Sequence, residues 1–125
     1  MTKFIDANII VKAFTDNKDK EKCRGVLQEE FVTNALCLVE AQNAITKISG
    51  NSSYGANCVK SLFKGCGAIV PLDKNLLFEA FKRVERHNLN IFGLIHYATA
   101  LINECAEIIS YDKDFDNLQI RRTEP

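Results

Sequence analysis

The chain has 125 residues, 46% of them apolar, with 16 Lys plus Arg against 16 Asp plus Glu, so its formal charge at pH 7 is zero. That size and apolar content suit one domain spanning residues 1–125, with a core that needs neither disulfides nor a structural metal. The neutral balance excludes attraction to nucleic acid through overall positive charge, so any such binding must rest on local patches or on a metal.

Short apolar runs alternate with longer helical ones, a pattern that predicts an α/β fold around a mainly parallel sheet. Phe4-Ile5 reads as a short buried strand that ends in an acid, Asp6. Asn8 can cap a helix over Ile9 to Phe14, and Asp19 to Glu30 reads as a charged helix. Phe31-Val32-Thr33 is a second strand, and Asn34 then opens a helix with Leu38, Ala41, Ile45 and Ile48 at helical spacing, closed by Gly50. A further helix covers Ser53 to Lys64, with Cys58, Val59, Leu62 and Phe63 on its inner side, and Gly65 and Gly67 punctuate its end. Ala68 to Leu72 is a strand whose Pro71 places it at a sheet edge. Asp73 caps a helix running to about Asn88, with Leu77, Phe81 and Val84 facing inward. Asn90 opens the next helix, through Leu94, Ala98 and Leu101. Ile108-Ile109-Ser110 is a strand leading to Asp112, and Leu118 to Arg122 supplies the last one.

Five cysteines, an odd number with no CxxC pair, signal neither a disulfide framework nor a zinc knuckle. Free thiols are the expectation, in a reducing cytoplasm. No window approaches the ~20 apolar residues of a membrane helix, so no membrane association is expected.

Three acids sit on apolar segments: Asp6 and Asp112 at strand ends, and Glu40 within Ala35-Leu36-Cys37-Leu38-Val39-Glu40-Ala41. A buried carboxylate is costly unless paired, and no Lys or Arg adjoins Asp6 or lies within three residues of Glu40. In open parallel sheets, ligands gather at the carboxyl ends of strands. Carboxylates that converge there repel one another unless a cation joins them, and Mg²⁺ or Mn²⁺ suits all-oxygen ligands. Such an ion supports phosphodiester hydrolysis.

Three segments, in order, resemble the PIN-domain family. Phe4-Ile5-Asp6-Ala7-Asn8-Ile9-Ile10 is similar to its opening strand, and Leu38-Val39-Glu40-Ala41-Gln42-Asn43-Ala44-Ile45 to its second acidic helix. Ile108-Ile109-Ser110-Tyr111-Asp112-Lys113-Asp114-Phe115 is similar to its late strand, where Ser or Thr precedes the acid by two residues. The length is similar to that of VapC-type toxins. The resemblance implies a three-layer α/β/α fold and a ribonuclease dependent on Mg²⁺ or Mn²⁺. It implies catalysis and metal binding by Asp6, Glu40 and Asp112, with Asp114 as a supporting metal ligand and Asn8 and Ser110 as hydrogen-bonding supports. It also implies RNA as substrate, with an antitoxin protein and a second copy of the chain as partners.

One position departs from that pattern. Family members carry an Asp in the helix before the last motif, whereas this chain reads Gly93-Leu94-Ile95-His96-Tyr97-Ala98-Thr99-Ala100. If Asn90 is the cap, residue 93 is the third helical position, where an acid would complete a capping box and Gly costs about 1 kcal/mol against Ala. Gly93 therefore leaves two readings open: an impaired nuclease, or a non-catalytic module that binds RNA or protein. His96, one turn further on, reads as a packing or surface residue, and Lys60 and Lys64 as a solvated pair. A phosphatase of the haloacid-dehalogenase type would need an acid where Asn8 stands, and a response-regulator receiver would need an adjacent acidic pair after the first strand.

Overall fold

The computed structural model describes residues 2–125. Five strands, β1 (Lys3–Ile5), β2 (Phe31–Asn34), β3 (Gly67–Val70), β4 (Glu107–Ile109) and β5 (Arg121–Thr123), form one sheet in the order β3-β2-β1-β4-β5. Every neighbouring pair is parallel. Phe4, Ile5, Ile108 and Ile109 are buried, as strands covered on both faces must be.

Among the described residues, six α-helices lie between the strands: α1 (Ala7–Ala13), α2 (Lys20–Leu27), α3 (Ala35–Ser49), α4 (Ser52–Lys60), α5 (Lys74–Phe81) and α6 (Ile91–Ile102). The chain steps outward from β1 to β2 to β3, then returns across the sheet to β4. Right-handed crossovers therefore place α1–α4 on one face and α5–α6 on the other, which gives the expected α/β/α layering. The contacts agree: α1 packs on α2 and α3, α3 on α4, and α5 on α6. The main core joins the sheet to the first group of helices, and a smaller cluster of Leu76, Ala80, Leu94, Ile95 and Ala98 joins α5 to α6.

Local signals set most boundaries. Asn34, Asp73 and Asn90 cap α3, α5 and α6 through their side chains, and Gly50 closes α3 at φ +70°, a left-handed conformation that favours glycine. Gly67 is required by close approach: a Cβ there would lie 2.1 Å from the Phe31 ring.

Several expectations are corrected. Asp6, not Asn8, caps α1, its carboxylate accepting from the Ala7 N–H. α5 stops at Phe81 rather than near Asn88. Its buried stripe is Leu76 and Ala80, with Leu77 half-buried, while Phe81 and Val84 are exposed. Ile48 and Phe63 also face outward, because α3 and the 3₁₀ turn after α4 bury only Ile45 and Leu62 at those ends. β3 stops before Pro71, although it is an edge strand as that proline suggested. The last strand begins at Arg121.

Candidate active site

The strand order reverses direction between β1 and β4, where β2 lies on one side and β5 on the other. Ligands bind at such a switch point in open α/β sheets. The β1–β4 register pairs Ile5 with Ile109 and brings the next residues, Asp6 and Ser110, together at the carboxyl edge. A cleft of about 270 Å³ opens there, lined by Asp6, Asn8, Glu40, His96, Asp112 and Asp114 among others.

Asp6 is buried and fully engaged. One carboxylate oxygen accepts from the Ala7 N–H at 2.7 Å, and the other accepts from the Ser110 hydroxyl at 2.7 Å and Asn8 Nδ2 at 3.3 Å. Burial raises its pKa above the ordinary 3.8, and His96, Ser110 and the Ala7 N–H only partly oppose that rise. An ionised Asp6 is thus costly in the metal-free protein, and a cation would relieve that cost.

Ser110 links the two strand ends. Its hydroxyl donates to Asp6 and accepts from Asn8 Nδ2 at 3.2 Å and the Asp112 N–H at 2.9 Å. Asn8 also accepts from the Tyr111 N–H at 3.3 Å. Asp112 is exposed and accepts from the Asp114 N–H at 2.9 Å, which starts a short 3₁₀ turn. Asp114 is exposed on the cleft wall.

Glu40 arrives from the opposite layer. Cys37, Ala41 and Ile45 form the buried stripe of α3, and Glu40 lies at its margin with its side chain 36% exposed. Its Oε1 accepts from His96 Nε2 at 2.7 Å. His96 is 4% exposed, and its Nε2 lies 4.0 Å from Asp6 Oδ1. Burial disfavours charge on the ring, but Cys37, Glu40 and Asp6 outweigh that and raise its pKa. Asp6, Cys37, Glu40 and His96 each offer a ligand atom within 4.8 Å of the others.

Asp6, Glu40, Asp112 and Asp114 therefore face one cleft, and Asn8 and Ser110 hydrogen-bond to Asp6. Gly93 also lines the cleft, in the first turn of α6. Reading His96 as packing or surface missed its contact with Glu40, which is 56 residues away. The available signal was helical spacing, because residues 93 and 96 share a face of α6. The donor set fits a divalent ion: at least two carboxylates meet at one point, with others on the rim and no Lys or Arg among the lining residues.

A family model described as PIN domain matches residues 3–120. No curated protein sequence matches the chain. Among solved structures, the chain is similar to VapC20 of Mycobacterium tuberculosis, described as a Sarcin-Ricin loop cleaving toxin. The TM-score is 0.82 at 11% identity, covering 98% of this chain and 99% of that one. A toxin–antitoxin complex from Klebsiella pneumoniae gives a TM-score of 0.77 at 15% identity, covering 96% and 95%. VapBC2 of Rickettsia felis, bound to a DNA fragment from its promoter, gives 0.71 at 14% identity, covering 99% and 98%.

Proposed function

The chain belongs to the PIN-domain family, and from that premise we propose that it is a VapC-type endoribonuclease dependent on Mg²⁺ or Mn²⁺, the toxin of a toxin–antitoxin pair. The observation that carries this reading is the gathering of Asp6, Glu40, Asp112 and Asp114 in one cleft at the sheet's switch point. The neighbours described as toxins and toxin–antitoxin complexes support the same reading.

Asp6, Glu40 and Asp112 would hold the ion, with Asp114 supporting. When bound, such an ion activates water and neutralises charge on the scissile phosphate. The chain's own residues prepare the place for it. Ser110, Asn8 and the Ala7 N–H fix both oxygens of Asp6. His96 fixes one oxygen of Glu40. Asp112 is tied to the same frame through its backbone N–H. Because no Lys or Arg lines the cleft, RNA phosphate would approach an acidic surface, and binding would depend on the ion.

The partners that follow from this reading are RNA, an antitoxin protein and a second copy of the chain, in the cytoplasm. All five cysteines are free, in keeping with a reducing compartment. Among the described residues, no helix is long and apolar enough to cross a membrane.

Gly93 favours a second reading, a non-catalytic module that binds RNA or protein. Incubation of a mixed single-stranded RNA pool with Mn²⁺, with Mg²⁺ and with a chelator separates the two. Cleavage that requires metal and is lost in Asp6→Asn is the expected result. Intact RNA with either ion would give precedence to the non-catalytic module.

A further inference from the structure

Two acids and an imidazole within reach of one ion suggest at first that His96 completes the coordination in place of the missing acid. The hydrogen bonds around the ring point elsewhere. Asn34 Oδ1 accepts from the Cys37 N–H at 2.8 Å, so the amide NH₂ of Asn34 faces the other way. One NH₂ hydrogen goes to Thr99 Oγ1 at 2.9 Å, since that hydroxyl already donates to the Ile95 carbonyl at 2.8 Å. The other goes to His96 Nδ1 at 3.0 Å. A nitrogen that faces a donor must present a lone pair, so in the neutral ring the proton sits on Nε2. In the charged ring both nitrogens carry protons, and the Nδ1 proton has Cys37 Sγ, 3.5 Å away, as its acceptor. In both forms Nε2 donates to Glu40 and has no lone pair for a metal.

We propose that His96 is a positioning residue: its Nε2–H holds the Glu40 carboxylate toward Asp6, and Asn34 selects the tautomer that makes this possible. The proposal rests on the reading of the cleft as a metal site. The relay Thr99–Asn34–His96–Glu40 runs from the core to the cleft wall, with Asn34 and Thr99 fully buried and His96 and Glu40 lining the cleft. It couples α6, the end of β2 and α3. Glu40 is the partly exposed member, on a helix whose neighbouring Val39 faces solvent. Without the His96 bond its carboxylate would be free to turn outward and be hydrated. The 4.0 Å gap from Nε2 to Asp6 exceeds hydrogen-bond range, and Cys37 Sγ lies 3.8 Å away against 2.7 Å for Glu40, so the proton serves Glu40 first. Partners of this kind fix the ligand geometry of metal sites, and losing one costs ~10–100-fold in affinity.

The test uses the full chain and Mn²⁺ as probe. His96→Gln places an amide donor near the Nε2 position but cannot ligate a metal in the way imidazole does, whereas His96→Leu removes the donor. Calorimetry should show Mn²⁺ affinity within ~3-fold of the parent for His96→Gln, and at least ~10-fold weaker for His96→Leu. Nitrogen NMR of the Mg²⁺-loaded parent should show a proton on His96 Nε2. Electron paramagnetic resonance of the Mn²⁺ form should show no directly bound imidazole nitrogen. Equal large losses in both variants, an unprotonated Nε2, or imidazole nitrogen coupling to Mn²⁺ would each overturn the proposal. Should His96→Leu fail to fold, His96→Gln and the two spectra still decide. A parent that binds no Mn²⁺ overturns the metal-site reading, and a positioning role for His96 falls with it. That outcome is distinguished from failure of the relay alone by finding Nε2 protonated in the metal-free protein.

Discussion

Asp6 and Asp112 face the same cleft, yet they are held in different ways. Asp6 is buried, and both its oxygens are engaged by Ala7, Asn8 and Ser110. Asp112 is exposed, and among the described residues the one bond its side chain accepts is from the Asp114 N–H in its own turn. Glu40 belongs with Asp6, because His96 fixes it. The cleft thus has a rigid half, built from β1, α3 and α6, whose carboxylates are held by other elements, and a loose half on the turn after β4, whose Asp112 carboxylate is held from within its own turn while its backbone N–H is tied to Ser110. Ordering ligands beforehand lowers the entropy lost on binding, so the rigid half should dominate metal affinity and the loose half should adjust to what binds.

Disarming each half separately should give unequal losses. Asp6→Asn keeps the cap to the Ala7 N–H but removes the charge, and is expected to lower Mn²⁺ affinity by ~100-fold or more, beyond the ~10–100-fold usual for outer partners. Asp112→Asn should cost about 10-fold and leave stability within ~0.5 kcal/mol, as exposed substitutions do. Parallel calorimetric titrations would decide, and equal losses would mean that the two halves are not distinct. The pH dependence carries the same asymmetry. The Asp6 pKa is raised by burial, so protons should compete with Mn²⁺ at higher pH than 3.8 would suggest. The linked stability has a definite sign. The folded state holds the Asp6 proton more tightly than the unfolded chain, so this group favours folding increasingly as pH falls through its raised pKa. Urea midpoints of the metal-free parent, compared with Asp6→Asn between about pH 7 and 4, should show that contribution disappear in the variant.

Ser110→Ala cuts the link between the halves. Ser110 is fully buried, and its hydroxyl serves Asp6, Asn8 and the Asp112 N–H together. Unsatisfied buried partners cost about 1–3 kcal/mol, so a loss of about 2 kcal/mol in denaturant unfolding is expected. Ser110→Thr, which keeps the hydroxyl, should restore most of it. Equal losses in both variants would place the effect in packing rather than in the hydroxyl.

The loose half was the easier one to see in the sequence. Ser110, Asp112, Asp114 and Phe115 fall within one short segment, and their relations are local. So are the caps at Asn34, Asp73 and Asn90 and the stop at Gly50, each decided by residues within one turn. The rigid half depends on long-range packing. Nothing near Glu40 shows that His96 will meet it, since that contact requires α3 and α6 to cover opposite faces of one sheet and converge at its edge. The same limit explains Phe81 and Val84. Their spacing suits an inward helix face, but α5 ends where its packing against α6 through Leu76 and Ala80 ends. Asn8 illustrates a finer ambiguity: a cap residue and a site residue two positions apart look alike until the helix start is known.

Gly93 gives the smallest expected effect and bears on both halves. It is the third residue of α6, its N–H is taken by Asn90 Oδ1 at 2.8 Å, and it lines the cleft. A Cβ there would meet Asn90 Oδ1 and the Leu89 side chain at 3.5 Å, ordinary contact, so a side chain fits without strain. Gly93→Ala should therefore stabilise the fold by about 1 kcal/mol through helix propensity alone, whether or not metal is present. Gly93→Asp gains a similar propensity benefit, reduced because Asp is a weaker helix former than Ala, and about 0.3–1 kcal/mol from the helix dipole. Repulsion from Asp6 and Glu40 would oppose that gain, and a bound divalent ion would cancel the repulsion. The difference between Asp and Ala at position 93 isolates this electrostatic part. Without metal, the Asp variant should melt below the Ala variant; with saturating Mn²⁺ the order should reverse, and RNA cleavage should rise above the parent only in the Asp variant. If the order of melting does not respond to Mn²⁺, a carboxylate at position 93 does not sense the ion, and the absence of an acid there cannot account for any weakness of the site.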